Sequence, residues 1–239
     1  MLKSPYEDAR PIYYDTETTG VRPEKDRIIE IAAYDPILDK KFTQLVNPGI
    51  SIPEEATAIH GITNEMVAET PSFAEAGKAF IEFCSGSCVL IAHNNDNFDK
   101  HFLMHEGKRH QLEYPAWQMI DTLKWARKYR PDLPRHSLQF LRQIYGIAKN
   151  NAHRALDDVL VLHQLFSVMI DDLPMGKVLE LLGANTPDVL PEVMPFGKHQ
   201  GKPLTEVPPH YFSWLKEQGA FEKPENASLK TALAKIGLL

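Results

Sequence analysis

Ile12-Tyr13-Tyr14-Asp15-Thr16-Glu17-Thr18-Thr19-Gly20 is a short run of strand formers that ends in turn residues. Side chains alternate faces along a strand, so Asp15 and Glu17 project to the same side near the strand's carboxyl end. Two later segments carry groups of the same kind. Val89-Leu90-Ile91-Ala92 is a second apolar strand, and it runs through His93-Asn94-Asn95-Asp96-Asn97-Phe98 to Asp99, which starts a helix. His153-Arg154-Ala155-Leu156-Asp157-Asp158-Val159-Leu160 opens a helix whose apolar stripe continues through Leu162, Leu165 and Phe166. Asp158 falls in its first turns, and His153 in the loop or cap before it.

Taken singly, Glu17 reads as an ordinary strand-end carboxylate, Asp15 as a turn former and His153 as a helix-capping or surface histidine. Their joint occurrence with Asp99 and Asp158 reverses that reading. Two unit charges about 4 Å apart repel by roughly 4 kcal/mol at an effective dielectric of 20, so four clustered carboxylates require an offsetting charge. Oxygen-only ligation favours Mg²⁺ or Mn²⁺ over zinc. Two such ions cancel four carboxylates, and a pair about 3.5–4 Å apart suits in-line phosphoryl displacement by water. His153, with an unperturbed pKa of about 6.5, is the natural general base near neutrality.

The remaining pattern gives strands at 12–17, 27–34, 41–46, 88–92 and 117–121. Helices fall within 53–68 and 72–84, then at 98–106, 122–129, 137–145 and 154–170. Three strands followed by alternating helices and strands predict an α/β fold, a mixed β-sheet flanked by helices.

On these residues the chain resembles the DEDDh class of 3′-to-5′ exonucleases, the proofreading-subunit-like branch of the ribonuclease-H-like superfamily. The resemblance rests on Asp15-Thr16-Glu17-Thr18-Thr19-Gly20, Arg27-Ile28-Ile29-Glu30-Ile31-Ala32, His60-Gly61-Ile62-Thr63, Ala92-His93-Asn94, Phe98-Asp99, Asp121-Thr122-Leu123, His136-Ser137-Leu138 and His153-Arg154-Ala155-Leu156-Asp157-Asp158. It implies a ribonuclease-H-like sheet, metal ligation by Asp15, Glu17, Asp99 and Asp158, His153 as general base, and a His60 contact near the scissile phosphate. Thr16, Thr18 and Phe98, inside the same motifs, are candidate substrate contacts. Three residues separate Asn94 from Phe98 where the family pattern has two, which leaves Asp96 as an alternative registration. The spacing of Phe98-Asp99 with Phe102-Leu103 favours Asp99. His93 reads as structural, with Asn94 holding the turn, and Asp157 as a solvated neighbour of Asp158.

The chain has 239 residues and a net charge of −6, with 43% hydrophobic and 24% charged residues. That length suits one α/β domain with a small appendage and buries roughly 70–75% of the unfolded surface. The expected organisation is an N-terminal extension over 1–10, the exonuclease domain over 11–172, a linker with a short helix over 173–194, and a small module over 195–239. No apolar run approaches the ~18 residues needed to span a bilayer, and the first residues lack a signal peptide's apolar stretch. A cytoplasmic protein without a membrane partner is therefore expected, with Cys84 and Cys88 as reduced thiols. The acidic balance is offset locally: residues 100–135 carry eight Lys or Arg against four acids.

Residues 195–239 hold six Lys against four Glu. Phe196-Gly197-Lys198-His199-Gln200-Gly201-Lys202, followed by Tyr211-Phe212-Ser213-Trp214-Leu215, resembles the C-terminal appendage of the exodeoxyribonuclease X branch of the class. Lys198 and Lys202 on a glycine turn are candidate phosphate contacts, and an aromatic there can stack on an unpaired base. The competing reading packs Phe196, Tyr211, Phe212 and Trp214 into a minicore. DNA 3′ ends, single- or double-stranded, are the expected partner. RNA is the alternative, since the catalytic motifs do not read the sugar. A polymerase or repair complex is a further candidate partner, and a noncatalytic subunit of such a complex is the reading from another class.

Overall fold

The computed structural model describes residues 6, 8–149, 154–183, 191, 193–194, 196–199, 201–222 and 226–238. It divides into two compact units, Met1–Gly183 and Ala184–Leu239. The first unit's strands are β1 (Arg10–Thr18), β2 (Ile28–Asp35), β3 (Lys40–Leu45), β4 (Cys88–Ala92) and β5 (Gln118–Asp121). They form one sheet in the order β3-β2-β1-β4-β5. β1 pairs antiparallel with β2 and parallel with β4, and β5 extends the parallel half. The mixed sheet expected from the sequence is present.

Helices cover both faces: α1 (Glu54–His60), α2 (Asn64–Val67), α3 (Phe73–Phe83), α4 (Asp99–His110), α5 (Thr122–Tyr129), α6 (Leu138–Ile144), α7 (Ala155–Ile170) and α8 (Met175–Leu182). Alternation along β1 decides which face each residue serves. Tyr13 turns toward α7, where it meets Val159, Leu162 and Phe166, while Ile12 and Tyr14 turn toward Phe73 and Phe80 of α3 and Phe102 of α4. All these side chains are almost fully buried. At about 1.5–3 kcal/mol for each such side chain, burial on both faces fixes β1 in the centre of the sheet. Asp15 and Glu17 therefore share the α7 face.

The short helix expected in a linker packs elsewhere. Met175, Val178 and Leu179 of α8 recur at helical spacing and join the core under α7, so this helix belongs to the first unit. Its apolar stripe needs burial, which a bare linker does not offer.

The second unit has its own core, built from Met194, Leu204, Val207, Phe212, Leu215, Phe221, Leu229, Ala232 and Leu233. Its helices are α9 (Pro209–Glu217) and α10 (Ala227–Lys235). Phe212 is 1% exposed and anchors this core, whereas Trp214, two positions on, is 49% exposed and lies outside it. The minicore expected from the aromatics therefore contains Phe212, with Phe196 and Tyr211 at its margin, and excludes Trp214.

Candidate active site

The ladder between β1 and β4 stops at Tyr13 and Ile91, while β1 continues along β2, pairing Asp15 with Ala32 and Glu17 with Glu30. Beyond that point β1 borders open space at the carboxyl end of the parallel half, the usual position for a ligand crevice in such sheets. A cleft of about 340 Å³ opens there, lined by Asp15, Thr16, Glu17, Phe98, Asp99 and Asp158 together with His93, Asn94, Ser137, Leu138 and Gln139. Carboxylate oxygens of Asp15, Glu17 and Asp158 all lie within 4.8 Å of one another. Asp99 lines the same cleft as the first residue of α4 and is 2% exposed.

Each carboxylate is held by a different device. Asp99 Oδ1 accepts hydrogen bonds from the Thr16 amide at 3.1 Å and the Thr16 hydroxyl at 2.7 Å, tying α4 to β1. Asp158 Oδ1 accepts from Gln139 Nε2 at 2.9 Å, and Gln139 is itself oriented by Arg142 Nε at 2.9 Å. The N-terminus of α7 is pinned by Glu30 on β2, which is 1% exposed and accepts from the Ala155 amide and from Arg154 Nη2, both at 3.1 Å.

The three residues between Asn94 and Phe98 form a 3₁₀ turn, Asn95–Asn97, after Asn94 adopts φ +67°. Asp121 holds this turn by accepting from the Asn94 and Asp96 amides at 2.9 and 3.2 Å. Asp96 forms an ion pair with Lys124 and does not line the cleft. Asn95 is fully buried and accepts from the Tyr14 hydroxyl. The extra residue is absorbed without displacing Asp99. His93 bonds Thr122 Oγ1 at 2.9 Å and the His136 carbonyl at 2.8 Å, a bracing role.

The electrostatics follow from crowding. Burial first, then the charges of Asp99, Glu17, Asp158 and Glu30, push Asp15 well above the ordinary carboxylate range. Burial, then Asp158, Glu30 and Asp99, push Glu17 up to about 8 against a smaller opposing pull from Arg154. Asp99 is pushed up to about 7 by burial, with the Thr16 hydrogen bonds acting in the other direction. Oxygen donors that repel at this spacing form a set that fits hard divalent cations.

Not every expected site residue reaches the cleft. Thr16 and Phe98 line it. Thr18 is buried and donates its hydroxyl to the Gly20 carbonyl, closing the turn after β1. His60, at the end of α1, is 5% exposed, its Nδ1 accepts from the Ile62 amide at 3.0 Å, and it is not among the cleft-lining residues. His153 lies outside the described residues. The sequence motifs do not single out Gln139, Arg142 or the Glu30–Arg154 pair. A charged residue inside Ile28-Ile29-Glu30-Ile31, where burial demands a partner, was the available signal for the last of these. Of the basic residues in 100–135, Arg127 and Arg135 line a recess that shares His93, Asn94, Ser137 and Leu138 with the cleft.

A family model described as "Exonuclease" matches residues 12–166. The chain belongs to the exonuclease family. The subunit epsilon of DNA polymerase III from Treponema pallidum is 39% identical to this exonuclease over 164 residues, covering 66% of the chain and 74% of that relative. Exonuclease DPD1 of Arabidopsis thaliana, chloroplastic/mitochondrial, is 36% identical over 182 residues, and the match spans 69% of the chain but 57% of the relative. Among solved structures, exonuclease X in complex with 5′ overhanging duplex DNA superposes with a TM-score of 0.53 at 28% identity, covering 67% of this exonuclease and 91% of that chain. Residues 185–235 match a separate model described as "Putative quorum-sensing-regulated virulence factor".

Proposed function

We propose that this exonuclease removes nucleotides from DNA 3′ ends in a divalent-metal-dependent hydrolysis that releases nucleoside 5′-monophosphates. The observation that carries the reading is the convergence of Asp15, Glu17 and Asp158 oxygens within 4.8 Å in a cleft that Asp99 also lines. These four carboxylates would hold Mg²⁺ or Mn²⁺. When bound, two such ions supply the charge that the cluster needs, lower the pKa of water and stabilise the leaving oxygen. The chain's own residues do the rest. Thr16 and Gln139 fix the carboxylates, Phe98 offers a ring at the cleft wall, and Arg127 and Arg135 attract the phosphodiester chain. His153 acts as general base, taking the proton of the attacking water, an effect typically worth ~10²–10⁴-fold. The identity to a polymerase subunit epsilon supports a place in a polymerase or repair assembly as a second reading.

Incubating 5′-labelled and 3′-labelled strands of DNA and RNA with Mg²⁺ or Mn²⁺, and with a chelator, tests the assignment. Ladders that shorten from the 3′ end on 5′-labelled DNA, lost on chelation, are expected. Intact 3′ ends under every divalent ion would overturn the enzyme reading. Faster loss of RNA than of DNA would move the substrate class.

A further inference from the structure

Trp214 in the second unit is 49% exposed and lies outside the core, beside Tyr211, which packs at the core's margin and is partly exposed. Tyr211 and Trp214 stand one turn apart on α9 and stack with centroids 5.5 Å apart and planes 24° from parallel. His199 packs edge-on against Tyr211 at 4.6 Å. The loop carrying His199 is tied down: the Met194 amide donates to the Lys202 carbonyl at 2.7 Å and the Gly201 amide to the Met194 carbonyl at 2.8 Å. Gly197 sits at φ +76°, and a Cβ there would fall 2.5 Å from the Tyr211 hydroxyl, so glycine suits the point where this loop passes the tip of that side chain. The loop thereby presents exposed Lys198 and Lys202 at the Tyr211 end of the stack. Burial, then Lys202, Lys198 and His210, hold His199 below its ordinary pKa, consistent with cationic groups gathered around it. Glu217 lies one turn beyond Trp214, at the end of α9 away from the lysines.

Flat rings stacked in series with cations at one side match a phosphodiester chain whose bases are unpaired. A duplex hides those base faces, and an acidic protein surface would meet the lysines without offering a series of aromatic faces to the rings. We propose that the Tyr211–Trp214 stack, flanked by Lys198 and Lys202, is a binding surface for the unpaired bases of a single DNA strand. It rests on the reading of this chain as a DNA exonuclease, and it adds a strand-state preference carried by the second unit.

Binding of fluorescein-labelled oligo(dT), oligo(U) and a blunt duplex to the full chain in EDTA tests the surface. Trp214→Ala is expected to weaken oligo(dT) binding about 5- to 150-fold, the range for losing one stacked base. It should also remove the share of tryptophan quenching by DNA that Trp214 contributes, while Trp214→Phe retains most of the affinity. Replacing Lys198 and Lys202 by alanine is expected to reduce the salt slope by about 0.7 per lost contact. Equal loss on oligo(U) supports the surface, because stacking does not read the sugar. Wild-type affinity in Trp214→Ala, or a blunt duplex that binds as tightly as oligo(dT), would overturn it. Hydrolysis of the p-nitrophenyl ester of thymidine 5′-monophosphate by the wild type tests the exonuclease reading separately from strand binding. Failure of the wild type to hydrolyse that ester or any 3′ end, with oligo(dT) binding intact, would sink the exonuclease reading and leave this surface standing.

Discussion

Replacing Glu17 by glutamine should stabilise the metal-free protein while removing its activity. In the folded chain burial and the neighbouring carboxylates hold Glu17 at about 8, against an ordinary 4.5. Between these values the folded state keeps a proton that the unfolded chain has lost. Stability contributed by that proton is full below about pH 4.5 and is lost progressively as pH rises toward 8. At pH 8 the difference costs the folded state on the order of 4 kcal/mol relative to a neutral side chain. Coulomb repulsion gives a similar scale, roughly 3.5 kcal/mol per ionised pair at 4.8 Å and an effective dielectric of 20. Allowing for relaxation, Glu17→Gln in EDTA at pH 8 should gain about 2–4 kcal/mol, or about 5–15 °C in Tm for a unit of this size. The gain should shrink toward zero near pH 4.5. Mn²⁺ should reverse the order, raising the wild type more than the variant. Thermal unfolding followed by circular dichroism at stepped pH, with and without Mn²⁺, measures all three. Equal Tm values for both proteins from pH 5 to 9 in EDTA would refute the argument that this cluster is under charge strain.

Four further outcomes are expected. His153→Ala should lower turnover about 10²- to 10⁴-fold with Mn²⁺ affinity retained, measured by single-turnover kinetics and calorimetry. Gln139→Ala, which removes the donor to Asp158 Oδ1, should reduce metal affinity or activity about 10- to 100-fold, and an unchanged Mn²⁺ titration would count against the positioning role. Glu30→Leu should lower urea-unfolding stability by about 2–3 kcal/mol, the modest end for a broken buried pair because Arg154 is 39% exposed. Phe212→Ala should destabilise the second unit by about 3–5 kcal/mol, against about 0.5 kcal/mol for Trp214→Ala, with proteolytic protection of residues 196–238 as the readout.

The sheet was legible because its signals are local. Ile12 to Glu17 and Val89 to Ala92 declare themselves by alternation and apolar runs, and Asp99 announces a helix start without any tertiary information. What stayed hidden depends on partners far along the chain. Glu30 on β2 and Arg154 at the start of α7 are paired between strand and helix, and neither residue's own neighbours specify the other. Gln139 follows the His136-Ser137-Leu138 motif directly, yet its role appears only when α6 meets α7. Thr18 and His60 sit inside matching motifs, yet the Thr18 hydroxyl and His60 Nδ1 bond local backbone. In the second unit Phe212 and Trp214 are both aromatic and two positions apart. Helical geometry sends one inward and the other out, which composition alone does not decide.

The three crowded carboxylates come from opposite ends of the first unit, Asp15 and Glu17 from its first strand and Asp158 from its last long helix. A chain that has left the ribosome only as far as the sheet holds no such cluster, so it cannot cut the nucleic acid around it. The repulsion that Asp158 adds to Asp15 and Glu17 arises when α7 packs on β1, so divalent ions held by the three would favour that packing. A destructive activity thus depends on residues from both ends of the first unit having come together.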